Sequence, residues 1–545
     1  MESIVSADGG HMADREAMVV DGAFGGGYLV RGGANTAPAL VTDWPAHVLG
    51  HLTYHPHPRT RLHTATGEDS LRRVVILGDP VEVRAGLTDG HRVCERVLDA
   101  WAADGVDGAV QYLAYLGGRW TAVLDSVGAR GAAPEITVVP DCQASQAVFY
   151  STARGIALGS QPALVAGTVG AGPDARSQEM WDILRSARRT GVIFLPGTMT
   201  THEDVLPLVP NHVLRISLTE GGTASVAHDR FWPYEQRVER SDTSAVTTEF
   251  IDYFREHTRL LCTLGRPVLS LTGGMDSRTS FAAALPHLHE ESFTFTYFNP
   301  RDGLTKKGAA DDVFDANAFA VDVGVQHRVL RWRQPQPGTI FEEIIDRTYP
   351  VRRGSIGAAH AMWADLPHDI VHLQSIGAEM GTTFYTKRPQ GPITPHRLTE
   401  IVTNRTDLGA ETEQAAFGEY LDYAQFTHDA IGGYDPHDVF YWEQRMGKWG
   451  YMKYQDGDFS HRMLLPFNDR GLIELMLSLP YHQRESKVVL HALLATVPPL
   501  AEPESAAGAE PPIGWRDVIA ARPHLRPRLS RALGTRPGPH DGRMP

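Results

Sequence analysis

One stretch, Val268-Leu269-Ser270-Leu271-Thr272-Gly273-Gly274-Met275-Asp276-Ser277-Arg278, limits what this chain can fold into more than any other segment. A buried-type strand over Pro267–Leu271 runs through two glycines directly into a helix over Asp276–Leu285. The first turn of a helix leaves backbone N–H groups unpaired and adds the positive end of the helix dipole, so such a junction receives an anion. Glycine has no Cβ, which lets phosphate oxygens come close to the chain. Thr272 and Ser277 add hydroxyl donors, and Asp276 is suited to hold a magnesium ion that bridges phosphates. A Walker loop would need a lysine after its last glycine, and none follows Gly274. The stretch points to a phosphate loop of another kind.

Its surroundings alternate strand and helix, the mark of an α/β unit. Further strands are expected over Ser292–Phe298 and His327–Trp332, with a helix over Asp311–Val323 between them. Residues 1–235 read instead as β-rich, with short apolar runs at Gly27–Val30, Val74–Leu77, Glu135–Val139 and Val213–Ile216. Helices are expected near 89–115, 176–190 and Ser241–Leu264, the last capped by Ser241-Asp242. From 496 the chain is rich in Pro, Ala and Glu, then carries seven Arg against two Asp from Arg516 onward, a composition that favours a flexible tail. The expected division is 1–235, 236–495 and 496–545.

Composition removes several classes. A net charge of −14 lacks the basic surplus of a nucleic-acid binder. Three cysteines without Cys-x-x-Cys spacing exclude a disulfide framework and a thiolate zinc site, and they fit a reducing cytoplasm. No apolar run approaches the ~20 residues that span a bilayer, and no signal pattern opens the chain. The histidines of Gly50-His51-Leu52-Thr53-Tyr54-His55-Pro56-His57 are loop-like in spacing and are expected at the surface. Lysine occurs only six times among 51 basic residues, a skew that suggests GC-rich bacterial coding and makes each surviving lysine mildly informative.

The segment Thr272-Gly273-Gly274-Met275-Asp276-Ser277 resembles the pyrophosphate loop Ser-Gly-Gly-x-Asp-Ser of the ATP pyrophosphatase (PP-loop) superfamily, with Thr272 in the first Ser position. The rest is similar to the asparagine synthetase family within it, which includes the β-lactam synthetases. In the first half the likeness rests on Gly118–Ala122, Asp141 through Phe149-Tyr150, Leu195-Pro196-Gly197-Thr198, Val209–His212 and Arg230–Pro233. In the second half it rests on Asp312–Ala316 and Val323–His327. The resemblance implies an α/β chain with an N-terminal-nucleophile-like (Ntn) αββα sandwich, followed by a PP-loop synthetase domain that uses ATP and Mg2+. The implied reaction adenylates a carboxylate, releases pyrophosphate and joins the acyl group to an amine. Ser270, Thr272, Gly273, Gly274, Asp276, Ser277, Phe295 and Gly377 are then expected to bind the nucleotide, the strand Phe293–Phe298 flanking adenine. Glu379, in the segment Leu373–Gly381, falls in the position of a second magnesium carboxylate beside Asp276. Lys487 aligns with a lysine that contacts pyrophosphate and the activated acyl group.

Two departures narrow the expectation. Glutamine-hydrolysing members carry a cysteine directly after the initiator Met, whereas this chain begins Met1-Glu2-Ser3, so the first domain is expected to be a structural remnant. Ile376 stands where relatives place Glu or Tyr, so the base is open among Glu443, Tyr385 and His360, unless the amine is already neutral near pH 7. Lys448 and Arg445 belong to an aromatic–charged cluster suited to the acceptor pocket, where Arg445 would clamp a substrate carboxylate. The expected function is an amide ligase taking a small carboxylic acid and an amine in bacterial natural-product synthesis, with a homodimer an open option. Intramolecular closure of a β-lactam or lasso-peptide macrolactam, and a non-catalytic nucleotide-binding scaffold, remain alternatives.

Overall fold

The computed structural model describes residues 16–32, 35, 37–126, 134–186, 194–218, 224–300, 310–349, 356–385, 391–403 and 410–500. The first half is built on two six-stranded sheets, one containing Tyr28–Gly32 and Leu52–Pro56, the other Arg72–Val81 and Gly117–Ser126. Period-two alternation decides how they stack. Val75 and Leu77 face inward and meet Tyr28, Val30 and Tyr54 of the opposite sheet. Val74 and Ile76 face outward against Val93, Val97 and Trp101 of the helix Gly90–Ala114. On the far side Leu29 meets Leu164 of the helix Pro162–Val169, which completes a helix–sheet–sheet–helix sandwich. The helix expected over 89–115 is capped by Asp89 but breaks at Gly105, whose φ of +74° no helix tolerates.

The second half holds a five-stranded, wholly parallel sheet in the order Gln326–Arg331, Phe293–Phe298, Arg266–Ser270, Ile370–Leu373, Arg462–Leu464. Both faces are covered: Val268 packs with Ala361 and Met362 on one side, Leu269 with Leu261 and Leu490 on the other. The helix Thr243–Cys262 starts on Asp242, whose carboxylate accepts from the Ala245 N–H at 3.0 Å. Chain order runs outward in both directions from Arg266–Ser270, so a crevice opens at the carboxyl ends of the strands beside it.

The halves are not separate cores. Val81, Cys142, Val209 and Trp232 belong to the same apolar cluster as Phe250, Leu269 and Trp442. Two ion pairs, each with under a tenth of either side chain exposed, cross the junction: Arg119–Asp458 at 2.7 Å and Arg230–Glu443 at 2.6 Å. Residues 496–500, the start of the expected tail, belong to the packed structure. Leu500 is fully buried and its carbonyl accepts from Arg278 Nη1 at 3.0 Å; the remainder of the tail, 501–545, lies outside the described residues.

The histidine expectation needs correction. His55 and His57 are buried, because Leu52–Pro56 is an inner strand whose end lies under the sandwich rather than a surface loop. No group of three metal-ligating side chains forms among the described residues, and no described helix is long and apolar enough to cross a membrane. Burial lowers His57, His212 and His372 each to about 3. An unfolded chain takes up those protons as pH falls through 6.5 while the native one does not, so stability falls on acidification across that window. Each group contributes up to about 1.4 kcal/mol per pH unit there. Buried carboxylates raised above their usual range, such as Asp458 and Glu474, act in the opposite sense. The denaturation midpoint is therefore expected to drop between pH 7.5 and 5.5; a flat profile across that range would contradict the assignment.

Candidate functional site

Thr272 through Ser277 form a tight turn at the carboxyl end of the strand Arg266–Ser270, and the helix Met275–Ala284 begins inside it. Hydroxyls fold the turn from within. Ser277 Oγ accepts from the Thr272 N–H at 3.1 Å, and Thr272 Oγ1 accepts from the Gly274 N–H at 3.1 Å. The Gly273 N–H donates to Asp312 Oδ1 at 3.2 Å, so a carboxylate already occupies part of the anion position. Burial, then nearby acidic charge, raises Asp312.

Above the turn lies a cleft of about 560 Å³. It touches the ends of three adjacent strands: Ser270 and Thr272 from the central one, Phe295 through Asn299 from one neighbour, and Gln374 through Ile376 from the other. This is the crevice that the strand order dictates. Its volume is that of a small-ligand pocket.

Lys487 Nζ lies 3.5 Å from Asp276 Oδ1. The lysine holds a left-handed backbone, φ +53°, immediately before the helix Val488–Ala495. Burial raises Asp276 above the usual carboxylate range, against the pull of Lys487. Burial raises Glu379 as well, and the Asp276 charge raises it further, while Lys487 and Arg445 pull it down. Two half-buried carboxylates that repel each other beside this turn are a donor set suited to a hard cation. Magnesium is commonly held by one or two carboxylates plus phosphate and water.

Of the residues expected to bind nucleotide, Ser270, Thr272, Gly274, Asp276, Ser277 and Phe295 line the cleft. Gly273 and Gly377 do not. Gly377 holds φ +106°, and a Cβ there would come within 2.5 Å of Gln143 Nε2. Gln143 cannot easily yield, since Tyr454 and Phe467 hold its amide. Gly377→Ala is thus expected to cost about 1–3 kcal/mol of stability, checked by urea denaturation.

The base candidates fare differently from expectation. Glu443 is wholly buried and spent on Arg230, Tyr420 and Asn211. It faces the sandwich because Arg230 reaches it from the end of that half. Tyr385 is buried among Phe384, Phe440 and Tyr441, and burial pushes its phenol far up. His360 stacks on Phe341 at 4.8 Å, outside the cleft lining. Lys448 is buried, donating to the Met199 carbonyl, and burial lowers it to about 7. Arg445 stacks on Phe384 at 4.4 Å and on Trp449 at 5.0 Å, beside Glu379.

Several cleft residues were missed in the sequence, Asp312, Gln374, Trp332 and Lys453, while Trp449 lies in the aromatic–charged cluster expected at the acceptor pocket. Lys453, whose Nζ lies 5.0 Å from the Tyr297 ring centre, had a usable signal in the scarcity of lysine. The others come from elements that only the sheet order brings to the turn.

Fold and site together define a doubly wound parallel α/β unit with a glycine turn and a cleft at its switch point, joined to a helix–sheet–sheet–helix sandwich. No family model matches the sequence, and no curated protein matches it. Among solved structures, the chain has 11% identity to the glutamine-dependent NAD+ synthetase from Acinetobacter baumannii in complex with ADP, covering 35% of this chain and 38% of that one at a TM-score of 0.16. It has 13% identity to the NH3-dependent NAD synthetase from Campylobacter jejuni subsp. jejuni NCTC 11168 in complex with the nitrate ion, covering 35% of this chain and 91% of that one at a TM-score of 0.17. Likenesses of that extent carry no weight for the chemistry of this chain, which rests on its own residues.

Proposed function

We propose that the chain is an ATP-dependent ligase of the PP-loop kind, which activates a carboxylate with loss of pyrophosphate and couples it to an amine. One observation carries the reading: an N–H-lined turn, Asp276, Glu379 and Lys487 converge at the carboxyl end of the central parallel strand, beneath a cleft of nucleotide size. In the proposed reaction a carboxylate oxygen attacks the α-phosphorus of ATP and the bond to pyrophosphate breaks. The amine nitrogen then attacks the acyl carbon, AMP leaves with the C–O electron pair, and the nitrogen gives up a proton. The turn from Thr272 to Ser277 holds the phosphates, and Lys487 meets the charge that builds on the departing pyrophosphate. Asp276 and Glu379 would hold the magnesium ion, which supplies charge neutralisation between the phosphates. Phe295 and its strand supply the wall for adenine, at the edge where such sheets bind nucleotides.

Ile376 lines the cleft and can accept no proton. This favours an amine already neutral near pH 7, such as a hydrazine-like, hydroxylamine-like or aryl nitrogen. A cleft of about 560 Å³ suits ATP with a small acid better than a folded peptide. Arg445, its plane fixed by aromatic rings, is proposed to clamp an anionic group of the substrate. The sandwich is proposed as an amidotransferase-like remnant with a supporting role, since Cys94, Cys142 and Cys262 are all buried.

The test is pyrophosphate release from ATP with candidate acids, each offered with and without amines. One acid is expected to support release, and Asp276→Asn to lower it by about 10²–10³-fold. A product of the acid alone that has lost water would mean ring closure. A requirement for added amine would mean intermolecular coupling. ATP binding without release on any acid would overturn the reading in favour of a nucleotide-binding scaffold.

A further inference from the structure

A second cavity, of about 30 Å³, lies between the two halves and away from the nucleotide cleft. The sandwich contributes Arg59, Arg61, Asp79 and Arg119, and the second half contributes Asp458 and Arg462. It opens at the start of the strand Arg462–Leu464, the end of the parallel sheet opposite the phosphate turn.

The charges around it do not balance. Arg119 and Asp458 consume each other in two hydrogen bonds of 2.7 Å. Asp79 takes Arg61 at 3.0 Å and is 3.6 Å from Arg462. Arg59 forms no ion pair among the described residues; its Nη2 donates to the carbonyls of Asp21 and Phe459. The Nε atoms of Arg59 and Arg462 are both buried without a hydrogen-bond partner. Four guanidinium groups thus line the cavity against two carboxylates; outside its lining, the exposed Asp21 acts on Arg59 and the buried Asp141 on Arg119. Burial lowers both Arg59 and Arg462, against the pull of Asp21 and Asp458 on the first and of Asp79 on the second. His461, also on the wall, is held neutral by burial and adds no charge of either sign.

We infer that this cavity is a binding site for one small inorganic anion of chloride size, which Arg59 and Arg462 hold from opposite halves of the chain. Size sets the class. A cavity of about 30 Å³ exceeds the 10–15 Å³ that a single water needs. It is too small for an organic acid. Arg59 has no carboxylate partner among the described residues, and Arg462, whose Nη2 donates to the Leu264 carbonyl at 2.9 Å, shares Asp79 with Arg61, so an anion between the two supplies the charge that both lack. Because the ligands come from both halves, the ion acts as a non-covalent staple. A ligand bound only by the folded state raises stability by mass action.

Two measurements decide it. The thermal midpoint of the wild-type chain is compared in sodium chloride and in sodium gluconate at equal ionic strength. Chloride is expected to raise it by at least about 2 °C. Arg59→Gln is expected to abolish that difference, while Arg61→Gln, at an exposed position already paired with Asp79, retains it. Crystals of the wild-type chain soaked in sodium bromide are expected to show an anomalous peak between Arg59 and Arg462. A midpoint indifferent to the anion, or an unchanged chloride response in Arg59→Gln, would overturn the site. So would the absence of a bromide peak, which needs no variant to fold.

Discussion

Arg230→Ala is expected to destabilise the chain by about 3–5 kcal/mol, the usual consequence of stranding one member of a buried ion pair. Arg230 donates to both oxygens of Glu443, at 2.6 and 2.9 Å, and 4% of its side chain is exposed. Without it, Glu443 keeps only Tyr420 and Asn211, two neutral donors, for a full charge taken out of water. The loss reaches further than the pair, because the guanidinium also donates to the Ala424 carbonyl and fixes the end of the sandwich on the second half. Urea denaturation checks the magnitude. Arg230→Met combined with Glu443→Leu should recover much of it, since removing both charges leaves neither uncompensated. A single variant within 1 kcal/mol of wild type would show that the pair is open to water. The same variants address catalysis: a general base at Glu443 would place its effect on turnover, whereas the structure places it on stability.

Lys487→Gly should separate function from stability most sharply. Lys487 holds φ +53°, a conformation that costs a residue with a side chain about 1–2 kcal/mol and glycine almost nothing. Such strain persists where the rest of the structure imposes it, and it often accompanies function. Here it aims Nζ to within 3.5 Å of Asp276 at the phosphate turn. Replacement by glycine relieves the backbone and removes the cation. Stability is therefore expected to hold or rise slightly, while pyrophosphate release falls by about 10²–10³-fold. Lys487→Ala should lose release to the same degree without the gain in stability. Equal release in the glycine variant and wild type would remove Lys487 from the proposed reaction.

The sequence made some features plain because the physics behind them is local. The apolar run Val74–Leu77 announced a strand, and the glycine pair after Leu271 announced a tight turn from strand into helix. Asp242 announced a helix start through its carboxylate. What stayed hidden depends on direction and on distant neighbours. Glu443, Tyr385 and Lys448 read as site chemistry because of their types, but sequence spacing does not tell which side of a buried helix meets solvent. Gly377 read as a phosphate contact, while its glycine character answers to Gln143 of the other half. The boundary at 235 followed a change in composition, but Trp232 and Val81 pack into the second half, and composition carries no record of a shared core. Asp312 and Gln374 reach the cleft only through the strand order, which no short window of sequence contains.

The spacing of the three charged groups at the turn has a consequence for how the chain matures. Asp276 and Lys487 stand 211 positions apart, with Glu379 between them. Closing so long a loop is slow and comes after local structure has formed. The site is thus among the last parts of the chain to exist. Neither half-made chains nor fragments ending short of Lys487 can assemble it, however well their helices and strands form. The nucleotide binding proposed above needs all three groups, so refolding followed by nucleotide binding should lag behind refolding followed by secondary structure.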